Sequence, residues 1–179
     1  MKKVVKLLLV CSMIMLLGVA CEEKLPKIEK VNVVENIAES ANKGIKKAVL
    51  LKNEEKYMEG DFAAEAHEIL EIEDVTENYQ EEEGKRFVRV YTLVTYGKYN
   101  KENEQYIRVA GSEVVPTVIT FSKDSEGTID LINYQIPNEK KKYEKEIKKI
   151  FPEKLWEEIL NLDNNKKDEL LKKEMKNLD

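Results

Sequence analysis

The chain has 179 residues, and its 35 Asp and Glu outnumber its 30 Lys and Arg, which gives a net charge of −5. This acidic balance argues against nucleic acid and anionic lipid headgroups as electrostatic partners, because both are themselves negatively charged. The single histidine, His67, excludes a zinc site built from several histidines.

Residues 1–20 have the three zones of a secretory signal. Three lysines lie within the first six residues, the 14 residues from Leu7 to Ala20 carry no charge, and small residues precede Cys21. A transmembrane helix needs about 20 apolar residues. We therefore predict a cleaved signal peptide rather than a retained anchor.

The segment Leu17-Gly18-Val19-Ala20-Cys21 resembles a lipobox, although Gly18 stands where a bulky apolar residue is expected. A lipoprotein signal requires a cysteine at the first mature position, since its sulfur carries the lipid. We predict that the chain is cleaved before Cys21 and that Cys21 is then acylated, with palmitate among the acyl chains. The lipid would anchor the protein on the extracytoplasmic face of a Gram-positive cell membrane. An ordinary signal peptide with a chance cysteine is the alternative.

Cleavage lowers the Lys and Arg from 30 to 27 and leaves all 35 acids, so the mature chain carries a net charge of −8. Cys11 leaves with the signal and Cys21 carries lipid, so the mature domain has no disulfide, although its compartment would permit one. Its stability must come from a hydrophobic core, which about 120 ordered residues can supply in one domain.

Residues 21–33 are rich in charge and contain Pro26. This composition predicts a flexible spacer. A single α+β domain is predicted over 34–162. It opens with a helix over 34–51, whose apolar residues recur at helical spacing: Ile37, Ala41, Ile45, Ala48 and Val49. Gly44 weakens this helix by up to about 1 kcal/mol relative to Ala.

After Gly60 the pattern changes to that of an antiparallel meander of four strands, rich in Val, Tyr and Thr. The predicted strands cover residues 62–72, 87–99, 105–121 with an interruption at 111–116, and 128–136. Pro116 in the interruption fits an edge or a bulge. Turns are predicted at 80–84, 100–103 and 124–127.

Helical periodicity returns at Tyr143, and Pro152 separates two short helices. The many charged residues at 163–179 predict a terminal helix that is exposed and loosely docked. The order of helix, four strands and helices predicts an α+β fold, a cystatin-like roll. We expect helices from the two ends to cover one face of the sheet.

Glu65 and His67 are the first candidate binding residues, since strand alternation places them on one face. A carboxylate beside an imidazole could act as a general base or as half of a weak metal site. A structural hydrogen bond or a solvated polar face is the alternative. The sequence contains no Gly-rich phosphate loop and no calcium-loop spacing, so we expect no metal and no cofactor.

The strand tyrosines are the second set of candidates: Tyr91, Tyr96, Tyr99 and Tyr134. A curved sheet often presents tyrosines to a ligand, because each offers an apolar body and a polar tip. Core and cross-strand packing is the alternative.

Three stretches, 60–67 (GDFAAEAH), 111–121 (GSEVVPTVITF) and 147–155 (IKKIFPEKL), together resemble a domain of clostridial-type bacteria. That domain occurs in small lipoproteins and in the extracytoplasmic C-terminal region of some BlaR-type membrane metallopeptidases. The resemblance covers about residues 36–162 and implies an accessory extracytoplasmic domain. It implies no protease activity, because the sequence has neither the His-Glu-x-x-His zinc motif nor a Ser-x-x-Lys sensor motif.

We therefore expect a non-enzymatic binding or sensor-accessory domain, anchored to the membrane by lipid and contacting a membrane or envelope protein. One alternative is a carboxylate-dependent envelope hydrolase or small-ligand enzyme with its site in a sheet cavity. A second alternative is a purely structural spacer.

Overall fold

The computed structural model describes residues 27–79, 84–138 and 142–178, with side chains from Ile37 onward. The predicted signal peptide, Cys21 and most of the predicted 80–84 turn lie outside the described residues. The chain divides into two units, residues 1–34 and 35–179. Of the first unit, residues 27–34 are described, and they are helical. Within the described ranges, no helix is both long and apolar enough to cross a membrane.

The predicted α+β class and order of elements are confirmed. The helices are α1 (Lys27–Glu54), α2 (Tyr143–Ile150), α3 (Glu153–Leu160) and α4 (Asn164–Lys176). The strands are β1 (Phe62–Asp74), β2 (Arg86–Glu102), β3 (Gln105–Gly111), β4 (Val115–Lys123) and β5 (Ile129–Gln135), with a short 3₁₀ helix at Thr76–Tyr79. Residues 27–33, predicted as part of the spacer, belong to α1.

The central strand of the antiparallel sheet is β2. On one edge it pairs with β1 along most of its length. On the other edge its first half pairs with β4 and its second half with β3, and β5 pairs with β4. The predicted third strand is therefore two strands, separated close to the predicted interruption. Pro116 pairs with Leu93, before the β4–β5 pairing begins at Val118, so it occupies an edge position as predicted.

Two hairpin turns differ in how well the sequence locates them. The β2–β3 turn lies at Asn103 and Glu104, whose φ angles of 46° and 65° are typical of a two-residue hairpin. The predicted 100–103 turn is thus too early. The 124–127 turn is confirmed, since the Asp124 carboxylate accepts hydrogen bonds from the N–H groups of Glu126 and Thr128, at 3.0 and 2.7 Å.

One face of the sheet packs against α1. The apolar side of that helix contacts a cluster of buried strand residues: Val88, Val90, Val94, Tyr96, Ile119 and Phe121. A Cβ at Gly44 would lie 3.1 Å from two carbons of the Phe121 ring. The residue that weakens the isolated helix thus lets it approach the sheet closely.

The opposite face packs against the C-terminal helices. Tyr91 and Val118 contact Ile147, Phe151 and other residues of the α2–α3 segment. Because successive strand residues face opposite sides, Val90 lies against α1 while Tyr91 lies against α2 and α3. The prediction that all helices cover one face is therefore wrong. The helices cover both faces, and β2 is buried on both sides along most of its length.

The terminal helix α4 is docked on the sheet, contrary to the predicted loose contact. Leu170 is buried, and Glu174 is 0% exposed. The Glu174 carboxylate accepts hydrogen bonds from Thr95 Oγ1 at 2.5 Å, the Tyr99 hydroxyl at 2.5 Å and Arg108 Nε at 3.0 Å. A buried charge is costly unless it is paired and hydrogen-bonded, and these three donors offset that cost.

The surroundings of Glu174 leave no spare room. A Cβ at Gly97 would overlap the Glu174 carboxylate. The Arg108 guanidinium also donates to the carbonyl oxygens of Tyr96 and Ser112, at 2.9 and 2.7 Å. A single arginine thus joins α4, β2 and the end of β3.

The substitution Glu174→Gln removes the charge and keeps the side-chain size. Loss of the charge-assisted hydrogen bonds should lower the free energy of unfolding by about 2 kcal/mol, measured by urea denaturation. Glu169→Gln, an exposed position on the same helix, is the matched control and should change it by less than about 0.5 kcal/mol. Equal losses in the two variants would contradict a docked α4.

Candidate functional site

Glu65 and His67 lie on β1, on the face that packs against α1. Their neighbours across the strand pair are Tyr96 and Val94, both members of the α1-side core. Glu65 Oε2 lies 2.9 Å from His67 Nδ1, and Glu65 is 2% exposed. The predicted same-face placement is confirmed, and it produces a hydrogen bond between a buried carboxylate and a partly buried imidazole.

The other ring nitrogen of His67 contacts α1. His67 Nε2 lies 2.8 Å from Asn42 Oδ1, while Asn42 Nδ2 donates to the carbonyl oxygen of Ala38 at 3.0 Å. Each ring nitrogen therefore lies within hydrogen-bond distance of a protein oxygen. In this arrangement the protein itself occupies both sides of the imidazole.

The backbone of the same residues faces the outer edge of β1, an edge strand of the sheet. The carbonyl oxygen of Glu65 accepts a hydrogen bond from Asn177 Nδ2 at 2.7 Å, and that of His67 accepts one from Lys173 Nζ at 3.0 Å. Exposed edges recruit foreign strands. Side chains from the C-terminal segment satisfy two of the open carbonyl groups here.

A groove of about 380 Å³ lies beside this edge, lined by α1, β1 and α4, with His67 in its wall. Lys166 in the groove lies 2.8 Å from Glu68 and 2.7 Å from Glu158. Burial acts to lower the pKa of Lys166, but its hydrogen bonds to the two carboxylates outweigh that effect and raise it. The charge of this lysine is thus balanced by the protein itself.

Two of the candidate tyrosines also lie on the α1 side. Tyr96 is 1% exposed and stacks on Tyr57 with a centroid distance of 5.6 Å. Its hydroxyl is buried and has no hydrogen-bond partner among the described residues. Tyr134 is half-buried on β5 and packs against the α1-side core.

The other two tyrosines lie on the opposite face. Tyr91 donates to Glu73 Oε2 at 2.9 Å and packs near the Phe151 ring, while Tyr99 donates to Glu174. The four tyrosines therefore divide between two covered faces and form no shared binding surface. Core packing, the alternative considered above, describes their contacts.

Glu174 and Asn42 are polar residues that sequence analysis did not single out. Both lie on helices among many other charged or polar residues, so the sequence offers no local signal that distinguishes them. Only the docking of each helix shows which polar side chain is turned toward the sheet. Among the described residues, no group of three or more His, Cys, Asp or Glu side chains could hold a metal ion.

Burial raises the pKa of four core tyrosines: Tyr91, Tyr96, Tyr99 and Tyr134. Above pH 10, near the ordinary tyrosine value, the unfolded chain loses protons that the folded chain keeps. Stability from these groups is complete below that pH and is lost as the pH rises through the folded-state values. The urea midpoint should therefore fall between about pH 9 and about pH 11.

For Tyr99, the hydrogen bond to Glu174 adds to the effect of burial. The variant Tyr99→Phe should accordingly show a shallower decline with pH than the unmodified protein. A midpoint independent of pH over this range would contradict the burial of the tyrosines.

In comparisons with known proteins, no family model matches the chain, and no curated protein or solved structure matches it.

Proposed function

We propose that the chain is a membrane-anchored extracytoplasmic lipoprotein whose folded domain binds a partner and catalyses no reaction. The anchoring is supported by the signal-like residues 1–20 and by Cys21 at the position where a lipobox ends. The acidic mature chain has little electrostatic attraction for an anionic membrane, so the lipid would hold it there.

The observation that supports the non-catalytic part of the proposal is the engagement of Glu65 and His67 by the protein itself. Catalytic bases need a free acceptor within reach of a substrate proton. Here the carboxylate is buried against the imidazole, and the imidazole is held by Asn42. These groups join β1 to α1, which is a structural task.

A second candidate function is an envelope hydrolase, and one observation favours it: His67 forms part of the wall of the 380 Å³ groove. For this function, His67 would have to exchange Asn42 for a substrate group. Such an exchange would remove the contact between Asn42 Oδ1 and His67 and would loosen α1 from β1.

The anchoring is tested by Cys21→Ala in the cells that produce the protein. Without the sulfur that carries the lipid, acyl-chain labelling should disappear and the protein should leave the membrane fraction. Ser12→Ala, within the uncharged segment, is the control and should change neither. Unchanged labelling and membrane retention in the Cys21→Ala variant would contradict the proposal.

In-cell crosslinking of the anchored protein tests the binding assignment, and a membrane or envelope protein should be recovered. Purified protein and its His67→Gln variant should both leave cell-envelope preparations unchanged. Turnover by the unmodified protein that is lost in the variant would instead support the hydrolase.

A further inference from the structure

A second cavity, of about 280 Å³, lies on the side of the sheet covered by the C-terminal helices. It is bordered by the break between β3 and β4, by the segment that follows β5, by the end of α3 and by the start of α4. It is separate from the His67 groove and shares no lining residue with it.

Buried apolar residues form part of the wall of this cavity. Val114, Pro116, Pro137 and Ile159 are buried residues that line it. Pro116 and Pro137 hold their backbone stiffly, and Ile159 belongs to the α2–α3 core. The apolar part of the cavity is thus built from restrained residues.

Two opposite charges line the same cavity. Glu113 lies in the break between β3 and β4, and Lys167 lies in the first turns of α4. Among the described residues, neither side chain takes part in an ion pair or a hydrogen bond. The neighbouring Lys166, by contrast, is bonded to two carboxylates.

We propose that this cavity binds a free α-amino acid with an apolar side chain. Lys167 would pair with the α-carboxylate, Glu113 with the α-ammonium group, and the apolar wall would hold the side chain. A simple anion would meet the negative Glu113, and a simple amine would meet the positive Lys167. A zwitterion satisfies both charges at once.

The size of the cavity agrees with this class of ligand. One water occupies about 30 Å³ in the liquid, so the cavity has room for roughly nine water-sized groups. Leucine has a similar number of non-hydrogen atoms. Binding sites commonly combine an apolar wall with a few placed polar groups that fix the ligand's orientation.

The proposal rests on the proposed binding function and names a ligand class for it. It is tested by calorimetric titration of the full chain, purified in detergent, with L-leucine, leucinamide and N-acetyl-leucine. L-leucine should bind. Leucinamide lacks the carboxylate and N-acetyl-leucine lacks the ammonium group, so each should bind at least about tenfold more weakly.

Variants of Glu113 and Lys167 test whether each charge contributes to leucine binding. Lys167→Gln and Glu113→Gln should each weaken leucine binding by about tenfold or more. Lys172→Gln is the matched control, since it changes an exposed lysine of the same helix outside the cavity. It should bind leucine as the unmodified protein does, and circular dichroism should show the same fold for all three variants.

Absence of leucine binding would overturn the proposal, as would equal binding of all three compounds or unchanged binding in both cavity variants. In-cell crosslinks to an envelope protein would then still support the proposed binding domain. Conversely, chemical conversion of bound leucine would contradict the non-catalytic assignment while leaving the site in place.

Discussion

The structure depends on the burial of β2 on both faces. This strand pairs with β1 on one edge and with β4 and β3 on the other, and helices cover it from both sides. Its alternate residues supply both cores, so each helix layer is positioned by the same strand. The hydrophobic core is divided over two helix–sheet interfaces, one on each face of the sheet.

Much of the fold could be predicted from periodicity. Alternation predicts the strands, and Gly111 and Pro116 mark the interruption between the third and fourth strands. The covering of both faces could not be predicted, because a strand such as β2 is apolar on each side, and this pattern does not say which helix lies on which face. The docking of α4 could not be predicted either, since Glu174 is one of many acidic residues.

At the candidate site, too, the sequence predicts part of the arrangement, and only the tertiary structure shows the rest. The placement of Glu65 and His67 on one face followed from strand spacing, whereas the hydrogen bond between them is seen only in the structure. Its partner Asn42 is 25 residues away from His67 and belongs to another element, so only tertiary structure reveals that the histidine is held from both sides. The tyrosines looked like a shared surface in sequence, whereas alternation places Tyr96 and Tyr99 on opposite faces. The side chains that the sequence suggested as binding or catalytic residues therefore hold the helices and the sheet together.

Tyrosine nitration of the folded protein, mapped by mass spectrometry, is the most direct test of whether both faces of the sheet are covered. Tyr143 is 41% exposed, while Tyr91, Tyr96 and Tyr99 are between 1 and 6% exposed. We expect Tyr143 to be modified first, and the three buried tyrosines to react only after unfolding in urea. Nitration of Tyr96 or Tyr99 at the rate of Tyr143 in the folded protein would contradict a sheet covered on both faces.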